Sequence, residues 1–180
     1  MISTSGSAAV IEQNADLYDA VLDPFANEQS ASAALTDVAE GDWCYDAITF
    51  MMENDLMAPL SADVFGADSP AAMQDLISAM YSIIGGDGNF DDGLATLSAY
   101  GIVPADLNAE DELTIEELAC YGNNYCYALG LNAYEGEDTD GAVNFLTECG
   151  YLYLADGTEM TAAATRAQVA YLLTAICSAP

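Results

Sequence analysis

The sequence predicts a mostly α chain: three tandem helix-loop-helix repeats packed together behind an N-terminal helical segment. Three observations predict it. Apolar residues recur at helical spacing along most of the chain. Their pattern repeats itself at intervals of roughly 45 to 50 residues. And 53% of the 180 residues are hydrophobic, enough to bury a sizeable core. The units are drawn at residues 1–33 for the N-terminal segment, 34–88 for the first repeat, 89–134 for the second and 135–180 for the third.

In chain order, Val10, Ile11, Leu17, Tyr18, Val21 and Leu22 suit one face of an amphipathic helix, which Pro24 interrupts. A short helix is expected over Asn27–Leu35. The first repeat then opens with Asp46-Ala47-Ile48-Thr49-Phe50-Met51, which resembles Gly141-Ala142-Val143-Asn144-Phe145-Leu146 in the third. A middle copy runs from Gly93-Leu94-Ala95-Thr96-Leu97 to Tyr100-Gly101-Ile102-Val103. Gly101 and Gly150 fall where a helix closes through a left-handed residue.

A second helix follows in each repeat. Its stripe is Leu76, Ile77, Met80, Tyr81 and Ile84 in the first, with Pro70 where a helix start tolerates it. In the second it is Leu118, Tyr121, Tyr125 and Leu129, and in the third Val169, Leu172, Leu173, Ile176 and Cys177. Gly85-Gly86-Asp87-Gly88-Asn89 and the acidic run Glu135–Gly141 read as linkers.

Charge removes whole classes of function. There are 30 acidic residues against a single base, Arg166, with no Lys and no His, for a net charge of −29. Charged residues amount to 17% of the chain, below the roughly 25% of an average domain, so base is missing more than acid is in excess. Nucleic-acid binding needs many cations to displace counterions, and docking on anionic lipid needs the same. Imidazole bases, Ser-His triads, Schiff-base lysines and the phosphate-loop Lys are absent. The expectation is a chain without enzymatic activity. No apolar run reaches the roughly 18 residues that span a bilayer. Met1–Ala9 does not read as a signal peptide, so either the chain is cytoplasmic or a leader has been removed.

Cys44, Cys120, Cys126, Cys149 and Cys177 form no Cys-x-x-Cys pair, which argues against structural zinc. Cys149 could meet Cys177, and Cys120 could meet Cys126. Alternatively, all five serve as small buried hydrophobes.

Some of these residues resemble the S-layer homology (SLH) family over about residues 34 to 178. The first repeat shows Asp37-Val38, then Trp43, Tyr45, Asp46 and Ala47, then Phe50 and Leu56-Met57, with Phe65 in the loop. The third shows Thr165-Arg166-Ala167-Gln168, a helix ending Tyr171-Leu172-Leu173, and Asp156-Gly157-Thr158 in its loop. The resemblance implies three units in a pseudo-threefold bundle that attaches an extracellular protein to a secondary cell-wall polysaccharide at the bacterial surface. It implies glycan contacts from Arg166, Thr165, Gln168, Trp43, Tyr45 and Asp46, with the Arg fork facing a carboxylate on the sugar. Aligned on the third repeat, Met73 and Ile115 stand where the signature Arg is expected in the first two.

Each of these residues has a plainer reading. Arg166 can pair with a neighbouring acid, Trp43 can anchor the core, and Asp46 can sit against a helix dipole. Glu137, Asp138 and Asp140 offer oxygens for Ca2+, the one cofactor considered, but lack EF-hand spacing and also read as a solvated charge run. The competing function is a self-assembling structural subunit of a surface layer or filament, in which Met73, Ile115 and the tyrosine-rich middle repeat contact other copies.

Overall fold

The computed structural model describes residues 35–136 and 138–179. The N-terminal helix expected before Pro24, and nearly all of the short one after it, lie outside the described residues. Within them the protein is mostly α, with six helices and no strand longer than an isolated bridge. These are α1 (Tyr45–Glu53), α2 (Met73–Ile83), α3 (Phe90–Ala99), α4 (Ile115–Ala128), α5 (Thr139–Glu148) and α6 (Arg166–Cys177).

The periodic stripes become the core. Leu76, Ile77 and Met80 of α2, Leu118 and Tyr125 of α4, and Val169, Leu172 and Leu173 of α6 are all sealed from solvent. The fully buried Tyr125 hydroxyl donates to the Met80 carbonyl at 2.9 Å, tying α4 to α2. Burial holds that phenol well above its ordinary pKa. The shorter helices pack in pairs with the longer ones, α3 on α2, α5 on α4, and α1 on α6, while α6 also meets α2 and α4. Gly101 (φ 72°) and Gly150 (φ 73°) close α3 and α5 in the left-handed region.

Three loop segments meet at the starts of α2, α4 and α6. Ala71 N–H donates to the Ala164 carbonyl at 2.8 Å, Ala164 N–H to Leu113 at 2.8 Å, and Leu113 N–H back to Ala71 at 3.0 Å. The ring closes on itself.

The next residues continue the pattern outward. The first N–H of each helix, on Met73, Ile115 and Arg166, bonds the carbonyl of Asp111, Ala162 and Ser69 respectively. The second, on Gln74, Glu116 and Ala167, bonds Ala109, Met160 and Ala67. A helix start leaves its first N–H groups without intrahelical partners, and here a neighbouring loop satisfies two of them in every case. Pro70 does not begin α2. It lies in this junction, bridged to Thr165 three residues ahead of the helix.

Candidate functional site

The first residue of α2, α4 and α6 occupies the same kind of place relative to the ring. Met73 and Ile115 are buried there, and so is Arg166, only 6% exposed. Two apolar side chains and one cation thus fill equivalent positions, and the cation needs partners. It finds several. One terminal nitrogen of Arg166 contacts Asp75 in an ion pair, the other donates to the Ala58 carbonyl at 2.6 Å, and Nε donates to the Phe65 carbonyl at 3.2 Å. The guanidinium lies 4.8 Å above the Phe65 ring centroid, adding a cation–π contact.

Asp75 is held from both sides. One carboxylate oxygen meets Arg166, while the other accepts from Ala72 N–H at 3.0 Å across the first turn of α2. Beside this pair opens a cleft of about 270 Å³, lined by the segment Leu56 to Leu60, by Gln74, Asp75 and Ser78 of α2, and by Arg166.

The rest of the third-repeat signature performs a local task. Thr165 caps α6: its hydroxyl accepts from Gln168 N–H at 3.2 Å, and Gln168 Oε1 accepts from Thr165 N–H at 2.8 Å. This is a reciprocal capping box, and Thr114 with Glu117 makes the same box on α4. Thr-x-x-Gln and Thr-x-x-Glu are readable as helix starts from sequence, a signal that the ligand reading of the signature overlooked.

Gln168 also reaches outward, donating from Nε2 to the Tyr153 carbonyl at 3.1 Å. Tyr153 in turn stacks on Trp43, with ring centroids 4.1 Å apart and planes 15° from parallel, and Tyr171 lies against both. Trp43 is 39% exposed, so it belongs to a surface cluster and not to the core. Tyr45 begins α1 half-buried and Asp46 lies exposed in its first turn, where an acid suits the helix dipole. Of the expected glycan residues, Arg166 alone lines the cleft and Trp43 alone joins the aromatic cluster, while Thr165 and Gln168 cap α6 and Tyr45 and Asp46 open α1.

In the acidic run, Glu137 lies outside the described residues. Asp138 caps α5, accepting from Gly141 N–H at 2.7 Å and from the Tyr134 hydroxyl at 2.6 Å. The Tyr134 bond leads in holding the Asp138 carboxyl below its ordinary pKa, and the same bond raises that of the phenol. Asp140 is exposed in the first turn of α5. Among the described residues no three His, Cys, Asp or Glu side chains stand together as a metal set.

All five cysteines are free thiols, so neither considered pairing is formed. Burial pushes the Cys126 and Cys177 thiols up to about 12, with Cys149 adding to the effect on Cys126. No described helix is long and apolar enough to cross a membrane.

Comparison with family models, curated proteins and solved structures finds no match.

Sequence reasoning missed Asp75 and the Ala58 carbonyl as the partners of Arg166. The acid is visible only as the residue aligned with Gln168 in the first repeat, and the carbonyl leaves no trace in residue type.

Proposed function

We propose that this chain is a non-catalytic, SLH-type module of the bacterial cell surface that attaches itself, or a polypeptide it belongs to, to a cell-wall polysaccharide. The observation that carries the reading is the closed hydrogen-bond ring of Ala71, Ala164 and Leu113. It supports three tandem repeats around a pseudo-threefold axis, in the register that aligns Met73, Ile115 and Arg166. The glycan contact in this reading is the cleft beside Arg166, with the Trp43–Tyr153 cluster as a second surface on which a sugar face can lie. No reaction is assigned, since the site pairs a buried cation with an acid and offers no imidazole or amine base.

One observation favours the second reading, a self-assembling structural subunit. The charge of Arg166 is already answered by Asp75 inside the chain, although Met73 and Ile115, expected to meet other copies, are buried within it. Exposed Tyr127 and Leu60, each 59% accessible, would then serve contacts between copies.

Co-sedimentation with purified bacterial cell walls, run beside light scattering in NaCl and Ca2+, separates the two. Attachment predicts a monomer that pellets with walls. A subunit predicts assembly without walls and a supernatant fraction that walls do not deplete.

A further inference from the structure

We infer that the cleft beside Arg166 and Asp75 takes an uncharged polyhydroxylated ring, a neutral sugar residue, and rejects an acidic one. The inference rests on the polysaccharide-attachment reading above and narrows it to a ligand class. The lining combines two kinds of surface: Leu56, Met57, Pro59 and Leu60 supply apolar area from one chain segment, and Gln74, Asp75 and Ser78 supply polar groups from α2. A sugar ring has that same division, with C–H groups on its face and hydroxyls on its edge.

The charge in the cleft already sums to nothing. Three of the five guanidinium N–H groups of Arg166 already donate to protein oxygens, on Asp75, Ala58 and Phe65. A ligand carboxylate can only accept, so it must compete with the Asp75 carboxylate for the two N–H groups left over and meets a like charge beside them. A hydroxyl both donates and accepts, so it can give its proton to Asp75 and accept from the amide of Gln74. A volume of about 270 Å³ leaves room for a single ring and part of a neighbour. The starts of α2 and α6 beside the cleft offer no alternative anion site, because their first two N–H groups are taken by loop carbonyls.

The test is an NMR titration of the full chain, read on the side-chain amide of Gln74, the guanidinium of Arg166 and the backbone of Ser78. The probes are cellobiose, maltose and N,N′-diacetylchitobiose as neutral saccharides and glucuronic acid as the acidic one, at physiological salt. At least one neutral probe is expected to shift these signals saturably, with glucuronic acid at least ~10-fold weaker. Ser78→Phe, which fills the cleft and leaves the ion pair intact, is expected to abolish the shifts. Asp75→Asn frees the guanidinium fork and is expected to reverse the preference toward glucuronic acid. Should that variant fail to fold, the wild-type and Ser78→Phe titrations decide alone.

Stronger binding of glucuronic acid to the wild type overturns the proposal, as does silence with every neutral probe or a shift that survives Ser78→Phe. The wall sedimentation assay keeps the two failures apart. Walls that bind while the cleft stays silent leave attachment standing and sink the cleft, whereas a cleft that fills while walls do not bind does the reverse.

Discussion

Arg166 and Asp75 lie 91 residues apart in the chain and form the one ion pair among the described residues, joining the first turn of α6 to the first turn of α2. Breaking a buried pair by removing one partner strands the other without compensation. Arg166→Ala is therefore expected to lower stability by about 3 kcal/mol or more, measured by urea unfolding. Arg166→Met restores the side chain found at Met73, and combined with Asp75→Asn it should cost less than the two single changes added together. Strict additivity would mean that the contact contributes nothing.

The helix starts differ in one testable way. Thr114 and Thr165 cap α4 and α6 through their hydroxyls, while Ala72 holds the same extended backbone (φ −93°, ψ 162°) with no acceptor to offer. Ala72→Thr should therefore stabilise the protein by about 1 kcal/mol, and Thr114→Ala should destabilise it by a similar amount. Thermal melting checks both signs.

Asp37 clasps the loop ahead of α2, accepting N–H groups from Phe65 at 2.9 Å, Gly66 at 2.7 Å and Ala67 at 3.1 Å. Desolvation pushes its carboxyl up, but these bonds outweigh it and hold the pKa below the ordinary 3.8. A depressed folded pKa gives stability that is present above the unfolded value and lost as pH falls through the folded one. The melting-temperature gap between wild type and Asp37→Asn should be full at neutral pH and close below pH 3.8. Taking the difference cancels the relief of self-repulsion that acid brings to so anionic a chain. A gap that stays constant down to acid would show that the charge of Asp37 is not what holds the loop.

Thiol reactivity should grade by burial. Cys149 is exposed at the end of α5, whereas Cys126 and Cys177 are pushed to about 12 and hold almost no thiolate at pH 8. Iodoacetamide is expected to modify Cys149 first and to reach Cys126 and Cys177 only when the protein unfolds. Mass spectrometry of the peptides over time would show this order or refute it.

Much of the fold was legible because helix burial is periodic. Leu76, Ile77 and Met80, or Val169, Leu172 and Leu173, announce a buried stripe by their spacing alone. The closing glycines Gly101 and Gly150 were legible because few other residues take positive φ at so little cost. The site was less so. Trp43 reads as a core residue by type, yet it rests on Tyr153, a partner supplied by a distant loop. Arg166 reads either as a ligand contact or as the partner of some acid, and sequence shows 30 acidic candidates without showing which is near. Backbone carbonyls such as Ala58 and Phe65, which decide how that guanidinium lies, belong to every residue alike and so mark none.

The ring of Ala71, Ala164 and Leu113 also bears on how such a chain could grow. An open stack of units has end faces, and length can be added there one unit at a time. Here each of the three backbone donors is already spoken for by the next member, and α1 packs against α6, bringing the first described helix onto the last. A fourth loop segment brought to this circle would find each of those donors and its acceptor already paired, so the ring closes the assembly where an open stack would leave an end.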